Sequence, residues 1–210
     1  MSRLIFLALL AFVRGDNVVR VNFHEDCEGH VNDLIQLNLA ATFQYIAKAF
    51  HFREYDSEYA GMAAMFHAHA REKLNDAKHL MKYLIHRGAE VHWEDIPKPP
   101  NTNWSHPSVV MTQALEIEKN MLNKIIATHT CAQEHNDPDL MHDMANRMII
   151  EEENTIFELG SYISHLAHDG AEDTVVLPHL SEKLFLKYKG YKDCFHAVEP
   201  DEYHNHPHDY

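Results

Sequence analysis

Residues 89–106 read AEVHWEDIPKPPNTNWSH, and this stretch decides the architecture. Pro97, Pro99 and Pro100 exclude a helix, since proline lacks the backbone donor and pushes the preceding residue into an extended conformation. Upstream lie two long helix-forming segments, about Glu28–Glu54 and Glu58–Arg87, parted by Tyr55-Asp56-Ser57 and closed by Gly88. Downstream, Pro107 suits the first turn of a third helix that runs to about His135. Asn136-Asp137-Pro138 is a boundary, with Asp137 as N-cap and Pro138 at the first helical position of a fourth helix ending near His168. A short fifth element, about Val175–Lys187, precedes a polar tail. Each long segment would measure about 45 Å at about 1.5 Å per residue, and residues 89–106 are enough to travel that length. The expectation is an all-α fold: a four-helix bundle of two hairpins joined by one long crossover, with a short fifth C-terminal helix.

Composition agrees with helices. The 210 residues suit one domain with a real core, and they include only 7 glycines. A formal charge of −14 argues against nucleic acid as a partner and suits a protein that attracts cations. The 19 histidines raise metal binding as a hypothesis without locating a site.

At the N-terminus, Arg3 precedes an apolar run from Leu4 to Val13, and Val13-Arg14-Gly15 offers a cleavage site. The run is too short to span a bilayer. Residues 1–15 are therefore expected to be a signal peptide, residues 16–190 the folded domain and residues 191–210 a tail, with the mature chain secreted and no membrane partner. In an oxidising compartment the cysteines matter. Of the 3 present, Cys27 and Cys194 lie near the two ends and are the candidates for a disulfide that ties the termini or joins subunits. Asn103-Trp104-Ser105 is a glycosylation sequon in the proline-rich loop.

Read at spacings of three and four, each helix has an apolar stripe interrupted by a polar residue near its middle. The first runs Val31, Leu34, Asn38, Ala41, Tyr45, Ala49, and the second Met62, Met65, His69, Lys73, Asp76, Leu80, Leu84. The third is Met111, Ala114, Glu118, Met121, Ile125, and the fourth Met141, Ala145, Met148, Glu152, Thr155, Leu159, Ile163. Buried charges must pair or hold a metal. Three readings are open. A salt-bridge cluster of Lys73 with Asp76, Glu118 and Glu152 leads. A residual single-metal site on Asp76, Glu118 and Glu152 comes next, and a competent two-iron centre last.

Several stretches, in order along nearly the whole mature length, resemble animal ferritins. They include Asn22-Phe23-His24-Glu25-Asp26, His86-Arg87-Gly88, Asp95-Ile96-Pro97-Lys98-Pro99, Ala114-Leu115-Glu116-Ile117-Glu118-Lys119-Asn120, Asn136-Asp137-Pro138-Asp139-Leu140 and Phe157-Glu158-Leu159-Gly160. The resemblance implies a ferritin-like bundle and a hollow shell of 24 subunits that stores ferric iron. It also implies that Asn38, Lys73, Asp76 and Glu118 stand at the principal iron-ligand positions. The family has Glu, bridging Glu, His and Glu there, so three of the four ligands are replaced. Glu72 and Tyr45 match supporting residues, and Glu152 falls where Gln is usual. Lysine at the bridging position is similar to the non-catalytic light chains.

The acidic positions that line the family's three-fold pore are His142 and Ala145 in this chain, and His129 matches another residue near it. In the tail, His204, His206 and His208 with neighbouring acids form a mixed ligand set suited to zinc, copper or iron. The leading functional expectation is thus a secreted ferritin subunit for iron storage or transport, with weak or no ferroxidase activity, in a homo-oligomer or beside a catalytic subunit. The alternatives are a divergent ferroxidase using Glu72, Asp76, Glu118 and Glu152, and an extracellular structural or metal-sequestering shell.

Overall fold

In a computed structural model of the chain, residues 19–55, 59–99, 104, 106–168 and 176–188 are described. Helix α1 (Glu25–Tyr55) and helix α2 (Ala60–His86) form one hairpin. Helix α3 (Pro107–Glu134) is followed by a fourth rod made of α4 (Pro138–Asp143), a π-helical segment (Met144–Ile149) and α5 (Ile150–His168). Helix α6 (Val176–Tyr188) packs chiefly on α2. The described residues are helical apart from the connections, and none of their helices is long and apolar enough to cross a membrane. The crossover bundle with a short C-terminal helix is the architecture expected from residues 89–106.

Helices α2 and α3 end alike. At the end of α2, Gly88 takes φ +71°, its N–H bonds Ile85 O, and Ala89 N–H bonds Leu84 O at 2.9 Å. At the end of α3, Asn136 takes φ +53°, its N–H bonds Gln133 O, and Asp137 N–H bonds Ala132 O at 2.8 Å. Each pair of bonds satisfies carbonyls that a helix end would otherwise leave open. The Asp137 carboxylate then caps α4 by accepting from Leu140 N at 3.0 Å, with Pro138 in the first turn.

Arg87 ties three pieces of chain together at this end of the bundle. It donates to Asn22 O at 2.7 Å, pairs with Asp137 at 2.7 Å and Asp139 at 3.1 Å, and lies 4.8 Å over the Phe23 ring. The crossover is strapped to α1 by residues one turn apart. Glu28 accepts from Glu90 N at 3.1 Å, Asn32 bonds both Glu90 O and His92 N, and Gln36 donates to His92 O at 3.0 Å. Helix α6 docks through Gly61, where an added Cβ would lie 1.7 Å from Ser181 O; the Gly61 N–H donates to Ser181 Oγ.

The stripes of α1 and α3 are buried as read, Asn38 and Glu118 included. The fourth rod corrects its reading. Upstream of Met148 the buried residues are Leu140 and Met144, whereas Met141 and Ala145 are only half-buried. The π segment is the cause: its wider turn takes more residues per revolution, so the buried positions fall every fourth residue through Glu152.

The cysteine expectation is also corrected. Cys27 is bonded to Cys131, with Cα atoms 5.8 Å apart, because the start of α1 lies beside the end of α3. It is not paired with Cys194, which lies outside the described residues. The bridge closes a loop of 104 residues, so Cys27→Ser is expected to cost about 2–5 kcal/mol. Thermal melts with and without a dithiol reductant check this: the wild type should drop to the variant's midpoint on reduction, and the variant should not move.

Candidate functional site

Four helices bring their polar stripe residues to one level. Lys73 from α2 places Nζ 2.6 Å from Glu118 Oε2 on α3 and 2.7 Å from Glu152 Oε2 on α5. Tyr45 from α1 donates its hydroxyl to the other oxygen of Glu118. Lys73, Glu118 and Glu152 are each at least 95% buried, with relative exposures of 4%, 0% and 4%, and Tyr45 is fully enclosed.

One ammonium cannot neutralise two buried carboxylates, and the protonation pattern follows from that imbalance. Burial alone would raise the Glu118 carboxyl, but the Lys73 ammonium and the hydrogen bond shared with Glu152 outweigh it and hold Glu118 ionised, down at about 2. For Glu152, burial first and then the shared hydrogen bond with Glu118 outweigh the attraction of Lys73. Its carboxyl is pushed up to about 9 and carries the proton at neutral pH. The two carboxyls titrate as a pair. Burial would lower the Lys73 ammonium, and its two carboxyl partners more than reverse that. The Tyr45 phenol is raised by burial and by Glu118. The centre is therefore neutral overall: an ammonium, a carboxylate and a carboxylic acid. A neutral Glu152 is close in chemistry to the Gln that the resemblance places there.

The other expected members of the centre do not converge. Asp76 was expected beside Lys73, and instead it pairs with Arg147 at 3.0 Å, a residue that the π segment turns toward α2. Sequence reading missed Arg147 because its spacing places it off the straight-helix stripe. Asn38 donates its side-chain amide to Leu34 O at 2.9 Å on its own helix and does not reach the carboxylates. Glu72 is half-exposed and faces His69, with Nδ1 and Oε2 3.3 Å apart. A cleft of about 460 Å³ between α2 and the fourth rod is lined by Glu72, Asp76, Arg147 and Glu151, with Lys73 and Glu152 at its floor. The cleft thus opens onto an ammonium held between two carboxyl groups.

His129 is half-buried on α3, and the exposed His142 bonds Asn146 at 2.8 Å. Neither belongs to a group of three or more ligands among the described residues. Asn103, His204, His206 and His208 lie outside those residues.

Fold and centre together define a class: a crossover four-helix bundle with carboxylates converging at its middle, the frame of carboxylate-bridged iron proteins. Residues 28–168 match the family model of the ferritin-like domain. That span is well over half of the 210 residues, and the chain belongs to the ferritin family.

Two substitutions separate charge from shape at the centre. Lys73→Ala leaves a buried carboxylate uncompensated and is expected to cost about 3–5 kcal/mol. Glu152→Gln replaces one neutral hydrogen-bonding group by another and should change stability by less than about 1 kcal/mol at acid pH, where Glu152 is protonated in the folded and unfolded chain alike. Because the folded Glu152 value is raised from 4.5 to about 9, its stabilising contribution is complete below 4.5 and lost as pH rises through 9. The melting midpoint of the wild type relative to Glu152→Gln should therefore fall across that window. A constant difference would mean that Glu152 is ionised in the fold.

Proposed function

We propose that this chain is a secreted, oxidation-inert subunit of an iron-storing ferritin cage, one that works beside a catalytic subunit. The observation that carries the reading is the position of Lys73 Nζ, 2.6 and 2.7 Å from two buried carboxyl groups. A ferrous ion would have to displace a covalently tethered ammonium already satisfied by charge and hydrogen bonds. It would then find too few ligands, because Asn38 is turned onto its own helix and Asp76 is held by Arg147. Family membership supports iron as the cargo. The leader-like residues 1–15 and the Cys27–Cys131 bridge support an oxidising, extracytoplasmic location. The divergent-ferroxidase alternative is weakened by the loss of Asp76 to Arg147.

The test is oxygen consumption by the assembled, purified mature protein after a small excess of ferrous ions per subunit. The expected rate equals that of a protein-free blank. Fast, saturable consumption that disappears in Glu118→Ala would overturn the reading. Lys73→Glu alone should remain inert, whereas Asn38→Glu with Lys73→Glu and Asp76→His should consume oxygen above the blank. Folding of both variants is checked by circular dichroism in the presence of zinc.

A further inference from the structure

The core centre is filled by an ammonium, and a separate set of potential ligands meets at the end of the bundle where α1 begins and α3 stops. His24 precedes α1, Asp26 sits in its first turn, and His135 is the C-cap of α3. His24 Nδ1 lies 3.4 Å and His135 Nε2 3.5 Å from Asp26 Oδ2, and all three ligand atoms fall within 4.8 Å of one another. The two imidazoles, more than a hundred residues apart in sequence, are stacked 3.6 Å apart with planes 10° from parallel.

We propose that His24, Asp26 and His135 bind a borderline divalent cation, zinc or copper, on the outer end of the bundle, independently of the proposed iron chemistry. Two nitrogens and one carboxylate oxygen are a donor set that such cations accept at neutral pH, with water completing the shell. The electrostatics agree. The carbonyl end of α3 favours a cation, and the opposing positive end of α1 is offset by Glu25, Asp26 and Glu28.

A covalent tether positions the donors. Cys27 follows Asp26 directly and Cys131 lies one turn before His135, so their disulfide fixes the two backbones that carry the ligands. Parallel stacking would put a shared metal out of both ring planes, so binding requires the imidazoles to rotate out of the stack and His24 Nδ1 to give up the bond it accepts from Asp26 N–H at 3.2 Å. His24 is 49% and Asp26 69% exposed, and His135 28%, so water can replace that bond and little packing resists the rotation. Reduction of the bridge would present a different set, Cys27, Cys131 and His135, which also lie within 4.8 Å. The proposal concerns the oxidised form.

The experiment is zinc titration of the full mature chain against a chromophoric chelator, with the disulfide verified by mass spectrometry. His24→Ala/His135→Ala is the comparison, and circular dichroism and melting confirm that both proteins are folded. The expected result is one zinc fewer per chain in the variant, with histidines elsewhere contributing equally to both. Unchanged stoichiometry and affinity would overturn the proposal. Cobalt substitution is the second readout. The wild-type-minus-variant spectrum, which cancels any contribution of Cys194, should show ligand-field bands without thiolate-to-cobalt charge transfer. Strong charge transfer in that difference for the oxidised protein would overturn the ligand set by placing sulfur on the metal.

Discussion

The buried centre of the bundle obeys one constraint: its charge must sum to zero without water to help. Three ionisable side chains from three helices meet there, and ionising all of them would leave one negative charge in a low-dielectric core. Protonation of Glu152 removes that excess, and the remaining ion pair of Lys73 with Glu118 is closed by the Tyr45 hydroxyl. Because the three ionisable groups come from α2, α3 and α5, and the phenol from α1, the centre also fixes helix register. A slip of one residue in α2, α3 or α5 would strand a buried ionisable group, a larger penalty than a slip in a purely apolar core. Iron-binding relatives in a bundle of this kind balance carboxylates with metal; here a lysine provides the positive charge permanently.

Permanence has a structural consequence. A metal-balanced centre is strained when empty, because its carboxylates repel, whereas an ammonium-balanced centre is complete without any metal. The remaining polar residues are then free to take other partners. Asp76, which does not contact the centre's lysine or carboxyls, pairs with Arg147 and bridges α2 to the π segment. Arg147 also lies 3.5 Å from Asp143 and 3.6 Å from Glu151, and His79 bonds Asp143 at 3.0 Å. The cleft beside the centre is thereby crossed by ion pairs with alternating sign.

Much of this was legible along the chain. The prolines of residues 89–106 announce the crossover, Asp137-Pro138 announces a helix start, and the spacing of Asn38, Lys73, Glu118 and Glu152 places polar groups at one level. Four features were not legible, each for a physical reason. A π turn leaves no mark in a pattern read at fixed period, so Met141 and Ala145 were placed where Leu140 and Met144 pack, and Arg147 was overlooked. Whether Asp76 turns toward Lys73 or toward the fourth rod depends on what faces it, which spacing along its own helix does not encode. The cysteine pairing depends on which helix ends are neighbours, and proximity to the chain termini is a poor guide to that. The straps from Glu28, Asn32 and Gln36 to the crossover escaped for the same reason.

The difference between the centre and the histidine cluster at the bundle end follows from solvent. A buried carboxyl cluster must be neutralised by something, and here Lys73 does so. An exposed set has no such requirement: water solvates Asp26, His24 and His135 when no ion is present, and the empty site costs the fold almost nothing. What an exposed set lacks is fixed geometry, since side-chain freedom weakens binding. The Cys27–Cys131 bond answers that need at the backbone, next to one ligand and one turn from another. A ligand set on the surface, held this way, leaves untouched the charge balance that keeps the bundle in register.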